Sequence, residues 1–260
     1  MLFPTYSKMT TSRPVVLVTG ANQGIGFATV KLLAKTNQYT VILGSRDIEK
    51  GNTARKEIID SEKVDAEYIH TVQLDVQNDE SILAAAEHVK TKFGVLDVLI
   101  NNAGKTAIAG DSVSENRAKW LDCLDLNVVS AAMVTDVFAP LLKRSTYSKR
   151  RVIFVSTSIS SITLNNEPEG ANYKQAPYPI YKSSKTALNM LAQCYYKGEF
   201  LDTGVAVVLA CPGFAKTAFA GYIGFMTPEE SGDIVVSRLD GDNNEVNGKF
   251  FLSDGSVSPW

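Results

Sequence analysis

Histidine is almost missing from the 260-residue chain, where His70 and His88 are the only two. That scarcity excludes a histidine-based nucleophile triad and a multi-histidine metal centre. Cysteine is scarce too, with Cys123, Cys194 and Cys211 scattered and without CxxC spacing. Such thiols argue against a disulfide scaffold or zinc site and suit a reducing, cytoplasmic setting. Apolar runs such as 204–211 are strand-sized, far short of a membrane span. Residues 1–13 carry no signal-peptide pattern and read as a flexible polar extension. A net charge of −2 leaves no basic stripe for nucleic acid.

What is present is an ordinary globular composition, 45% hydrophobic and 21% charged, enough for one domain over residues 14–260. Short β-branched or apolar runs predict strands at 14–19, 39–43, 68–74, 96–100, 151–155, 205–210 and 249–252. Helical patterns lie between them, including 79–93, 114–126, 128–143 and 179–201. Another helix opens at Thr227-Pro228-Glu229-Glu230, an N-cap, a first-turn proline and acidic residues. The alternation predicts a doubly wound α/β Rossmann fold. Its mainly parallel sheet of about seven strands is flanked by helices and binds ligands at the strands' carboxyl ends. One long irregular insert, 159–179, interrupts the pattern, and such segments are usually functional.

Thr19-Gly20-Ala21-Asn22-Gln23-Gly24-Ile25-Gly26 joins the first strand to the first helix. Glycines let a pyrophosphate approach the backbone, and the helix N-terminus favours its charge. After the second strand, where an acidic residue would select NAD, stand Ser45 and Arg46. A hydroxyl and a guanidinium there suit the 2′-phosphate of NADP. Tyr181 and Lys185 share one helix face, and a cation near a phenol lowers its pKa from about 10 towards a useful range. Tyr178 and Lys182 form an overlapping pair at the same spacing, so the bare pattern is weak on its own.

Together with Asp75, Asn101-Asn102-Ala103-Gly104, Asn127, a Ser/Thr cluster at 156–158, and Pro212-Gly213 with Thr217, these motifs resemble the short-chain dehydrogenase/reductase family. The likeness covers 14–260 and is nearest to carbonyl reductases, Sniffer-like proteins and fungal ketoreductases. It selects the Tyr181 frame, because 181–189 fits the family's YxxSKxALN. It implies that Gly20, Asn22, Gln23, Gly24, Ile25 and Gly26 hold NADP(H). Asp75 and Val76 would border the adenine, and Asn102, Ala103 and Gly104 the nearer ribose. Lys185 would hold the nicotinamide ribose and depress the Tyr181 pKa, while Asn127 places a relay water. Pro212, Gly213, Phe214 and Thr217 would close over the carboxamide and diphosphate as part of a lid at 212–226.

The family usually has Ser-Ser after the fifth strand, whereas this chain has Ser156-Thr157-Ser158. Either Thr157 or Ser158 then steadies the substrate oxygen, with Thr157 in the aligned place. The implied activity is NADPH-dependent reduction of a small-molecule ketone or aldehyde, reversible to the alcohol. The remaining pocket wall is expected near Leu164 and from Phe214, Phe219, Tyr222, Phe225 and Met226, which suits an apolar or ring-containing substrate. Two other readings stay open: a non-catalytic NADP sensor, and a reductase of an activated C=C or imine. The resemblance also implies a homodimer paired through the helices of Asn127 and Tyr181, a packing that the insert is placed to obstruct.

Overall fold

The computed structural model describes residues 13–168 and 178–260. The expected extension, apart from Arg13, and the middle of the insert, 169–177, lie outside the described residues. The strands are β1 (Val15–Val18), β2 (Thr40–Ser45), β3 (Ile69–Gln73), β4 (Val98–Asn101), β5 (Arg151–Val155), β6 (Ala206–Ala210) and β7 (Lys249–Phe251). They form one seven-stranded sheet in the order β3-β2-β1-β4-β5-β6-β7, every pairing parallel. Strands such as β1 and β6 are buried along their whole length, which is why their sequences are continuously apolar rather than alternating. Val16 and Val18 face one helical layer, Val15 and Leu17 the other.

The first layer contains α1 (Gly24–Lys35), α2 (Ile48–Glu62) and α8 (Pro228–Val236), which bury Val30, Leu33, Ile58 and Val235. Asp47 caps α2 by accepting from the Glu49 and Lys50 amides, and Thr227 with Glu230 forms a capping box on α8. The second layer contains α3 (Asp79–Phe93), α4 (Val113–Leu124), α5 (Ser130–Arg144) and α7 (Pro179–Lys197). Ile82, Val89, Phe138 and Leu188 anchor it. Two further short α-helices are α6 (Ile162–Asn166), within the insert, and α9 (Asn243–Val246), before β7.

One expectation changes. The two helices read at 114–126 and 128–143 are a single run, Val113–Arg144, in which α4 and α5 join through a π-helical turn at Asp125–Val129. A π turn widens the ladder without interrupting it, so no helix-breaking residue announces it. Asn127 sits in that turn, buried at 1% exposure. The 32-residue run is long and apolar enough to cross a membrane, with a window of mean hydropathy 1.4. Here Val134, Phe138, Leu141 and Leu142 bury its apolar side in the core, so it reads as a core helix.

β1 pairs with β2 on one side and β4 on the other. The order therefore reverses between β1 and β4, the switch point where open α/β sheets hold their ligands.

Candidate active site

Both glycine-bearing loops expected to meet a dinucleotide leave the sheet at that switch point. Gly20 ends β1 with φ +61°, and a Cβ there would lie 3.0 Å from the Ala103 Cα. Gly26 is closed off by the Asn102 amide and the Gly20 carbonyl. Asn102 and Ala103 both donate backbone N–H bonds to Thr19 Oγ1 at 3.0 Å. Asn102 Nδ2 donates in turn to the carbonyls of Thr19, at 2.9 Å, and Gly20, at 3.3 Å. The two loops are thus zipped into one cradle. Gly24, with φ +60°, opens α1, and the nearest atom a Cβ would meet is Thr217 Cγ2 at 3.5 Å. The N-cap Gln23 makes no side-chain cap, which leaves first-turn amides for an anion. Asn22 and Ile25 are partly exposed beside it.

Ser45 and Arg46 separate in the structure. Ser45 is buried and its hydroxyl donates to the Asp47 carbonyl at 2.8 Å, so it shapes the turn and has no proton to offer a phosphate. Arg46 is exposed and makes no ion pair among the described residues; Asp47 caps α2 and lies near Lys50 instead. Asp75 accepts from the Gln77 amide at 3.1 Å, and Val76 turns into a cavity of about 10 Å³ beside Thr19, Ala103 and Ser130.

Across the switch point, the side chains of Asn127 and Lys185 converge on Gly104. A Cβ on this residue would approach Asn127 Oδ1 to 3.1 Å and Lys185 Nζ to 3.4 Å. Asn127 is locked by the loop after β4: its Oδ1 accepts from Lys105 N and its Nδ2 donates to Lys105 O, both at 2.8 Å. The same Nδ2 reaches Ser184 Oγ at 2.9 Å, and Ser184 Oγ donates to the Tyr181 carbonyl at 2.8 Å. Ser184 therefore ties the π turn to the tyrosine helix. Lys185 is buried and donates to the Val155 carbonyl at 2.8 Å, just before the hydroxyl cluster.

Within that cluster the three hydroxyls differ. Ser156 is buried, donating to Asn189 Oδ1 at 2.6 Å with Ser160 Oγ 3.3 Å away. Ser158 is partly buried, and its amide donates to Cys211 Sγ at 3.2 Å. Thr157 gives its carbonyl to the amide and hydroxyl of Ser160, while its own partly exposed hydroxyl bonds no other described residue.

Beyond β6, Pro212 is buried and Gly213 turns at φ +79°, where a Cβ would strike Met226 Sδ. Thr217 is buried against Gly24, and Phe219 sets its ring against Tyr181, with centroids 5.6 Å apart and planes at 65°. Phe214 pairs with Phe225 at 6.0 Å. On the insert side, the Trp260 carbonyl accepts from Thr163 N at 3.0 Å and Thr163 Oγ1 at 2.7 Å, and the Pro259 carbonyl from Ser161 Oγ at 2.7 Å. Lys182 Nζ reaches Asn165 Oδ1 of α6 at 2.9 Å. The overlapping Tyr178–Lys182 pair is thereby accounted for. Its lysine fastens the insert, and Tyr178 occupies the N-cap position of α7.

The family profile described as short chain dehydrogenase matches residues 14–224. The chain belongs to the short-chain dehydrogenase family. It is 37% identical to the short-chain dehydrogenase anuI of Penicillium roqueforti over 95% of this chain and 96% of that one. It is 27% identical to mouse carbonyl reductase (NADPH) 1 over 97% of this chain and all of the other. Its fold is similar to that of NADPH-bound carbonyl reductase from chicken fatty liver, with TM-score 0.80, 26% identity, and 96% and 99% of the two chains covered.

As a short-chain dehydrogenase, the chain departs from one expectation of its resemblance. Lys185 was expected to lower the Tyr181 phenol, yet burial pushes that phenol up, although part of the side chain reaches the surface. Cys211 and Cys123 add to the rise. Burial also lowers Lys185, to about 8. With its ammonium turned to Val155 O, Lys185 does not offset the desolvation of the phenol. Sequence reasoning gave no role to Ser184, Asn189 or Lys182. The serine of the YxxSK stretch was the available signal for Ser184. Asn165 and the Trp260 clasp lie in segments with no local pattern to mark them.

Proposed function

We propose that this short-chain dehydrogenase is an NADPH-dependent carbonyl reductase, converting a ketone or aldehyde to an alcohol and running in reverse as an alcohol dehydrogenase. The observation that carries the proposal is the meeting of Asn127 Oδ1 and Lys185 Nζ over Gly104, with Ser184 tying the Asn127 turn to the helix of Tyr181. The cradle fits the cofactor: Gly20 and Gly24 leave the backbone bare, the α1 amides face it, and Arg46 stands without a carboxylate partner among the described residues. The names of the mouse and chicken relatives, both carrying NADPH, support the same choice.

When bound, NADPH supplies the hydride. Arg46 would hold its 2′-phosphate, Lys185 the nicotinamide ribose, and Thr217, packed against Gly24, the diphosphate. Tyr181 gives its proton to the substrate oxygen as negative charge grows there, and the Thr157 hydroxyl donates a second hydrogen bond to the same atom. Asn127 holds the loop of Gly104 and Lys105 in place and, through Ser184, the helix of Tyr181.

The test is consumption of NADPH and NADH, followed by absorbance, with a panel of activated ketones, quinones and aldehydes. Turnover should favour NADPH and vanish in Tyr181→Phe. Undiminished turnover in that variant, or a preference for NADH, would sink the proposal. Separate Thr157→Ala and Ser158→Ala variants assign the second donor, with the larger loss of kcat expected for Thr157.

We further assign the enzyme to the cytoplasm, on its three free cysteines, which a fluorescent fusion checks. A homodimer would cover the exposed Leu121, Val129 and Met133 of the π-turn helix and Met190 of α7, as light scattering would report.

A further inference from the structure

We propose that Phe219 is a specificity-determining residue, an aromatic wall against which an aryl ketone lays its ring while its carbonyl reaches Tyr181. This rests on the carbonyl-reductase reading above and names the substrate class for that site.

Phe219 does two things at once. Its ring meets Tyr181 at a centroid distance of 5.6 Å, yet it remains 44% exposed, so much of its surface is open to an incoming group. The segment that carries it is braced. The amides of Ala220 and Tyr222 donate to the Thr217 carbonyl at 3.0 and 2.9 Å, and Lys216 N donates to Met226 O at 2.8 Å. Gly224 leaves no room for a Cβ against the Ala215 backbone, so the loop closes tightly on its own base. Phe219 is therefore held in place before a substrate arrives, which reduces the ordering cost of binding. Thr217, two residues earlier, packs on Gly24. One short turn thus spans the cofactor cradle and the phenol.

The surroundings favour a ring over a polar chain. Phe214, Tyr222, Ile223 and Phe225 are exposed on the same loop, where Lys216 is the sole charged residue between 212 and 226. Exposed apolar side chains gathered in this way mark a ligand or partner surface. The Phe219–Tyr181 contact places this one at the reacting tyrosine. An aromatic ring gains an edge or offset interaction with Phe219 that a saturated ring of the same size does not, worth roughly two- to tenfold in affinity.

Acetophenone and cyclohexyl methyl ketone form the matched pair of probes, with equal carbon counts and a flat or a puckered ring. Calorimetric titration of the NADP⁺-loaded protein gives their dissociation constants, and NADPH oxidation gives kcat/KM and its pH profile. The parent protein and Phe219→Trp should favour acetophenone by roughly two- to tenfold. Phe219→Leu should erase that preference by weakening acetophenone several-fold more than cyclohexyl methyl ketone, with the pH profile unshifted. Equal affinities in the parent, no measurable binding of either ketone, equal weakening of both in Phe219→Leu, or a shifted pH profile would each overturn the proposal. Calorimetric discrimination without NADPH oxidation would sink the carbonyl-reductase reading and leave the aromatic wall standing.

Discussion

The two edges of the sheet treat buried polar groups in opposite ways. At the N-terminal edge, Asp97 is 6% exposed and both of its oxygens are answered, one by the Val15 amide at 2.6 Å and one by the Ser145 hydroxyl. Arg151, at 0% exposure, donates to the carbonyls of Lys149, Arg238, Asp240 and Gly241 and to Asn243 Oδ1. At the carboxyl edge, among the described residues, Arg46 has no ion-pair partner and the Thr157 hydroxyl no hydrogen bond, and Lys185 carries a proton that burial disfavours. One edge uses polar groups to fasten the fold. The other keeps them available, at a cost in stability that active sites commonly bear.

Substitutions at the two edges should therefore part company in what they damage. The largest effect is expected for Tyr181→Phe, which should lower kcat by on the order of a thousandfold with the melting temperature essentially unchanged. A comparable loss of stability would break the contrast. Arg151→Met should do the reverse. It strands several buried acceptors and should cost about 3 kcal/mol in denaturant titration, with kcat of the folded fraction preserved.

Lys185→Met tests both halves of the idea. The folded-state pKa of Lys185 lies near 8, below its ordinary value of 10.5, because burial disfavours the ammonium. Its contribution is then least favourable below about 8 and improves as pH rises towards 10.5. The methionine variant should be inactive yet more stable at pH 7, by about 2 kcal/mol after allowing for the lost bond to Val155 O. That gain should shrink as pH is raised. A variant less stable than its parent at pH 7 would show that the lysine fastens the fold. Smallest is Arg46→Ala, expected to raise the KM for NADPH about tenfold and leave that for NADH alone, in steady-state kinetics with both cofactors.

Much of this architecture is legible before any coordinates. Short β-branched or apolar runs locate the seven described strands to within a residue or two, most plainly for β1 and β6, where a sheet covered on both faces admits little else. The range 79–93 for α3 follows from its alanine-rich periodicity. Less legible is anything that depends on which atoms face each other. The π turn at Asn127 is invisible because it widens the ladder without a proline or glycine to mark it. Ser45 and Arg46 look like partners in sequence, yet a single backbone turn points one inward and leaves the other in water. Ser156, Thr157 and Ser158 are chemically near-equivalent as letters. Only the bonds to Asn189 and Ser160 distinguish the first from the second.

The clasp between the insert and the end of the chain has a consequence for the order in which the protein is made. Ser161 and Thr163 find their partners in Pro259 and Trp260, 98 and 97 residues downstream. Chains emerge and begin to fold from the N-terminus. The glycine cradle, the π turn and the tyrosine helix, with Lys182 and its bond to Asn165, are thus all synthesised before the Pro259 and Trp260 carbonyls exist. Until Pro259 and Trp260 emerge, the hydroxyls of Ser161 and Thr163 have no carbonyl to meet, and this side of the insert hangs on local bonds alone.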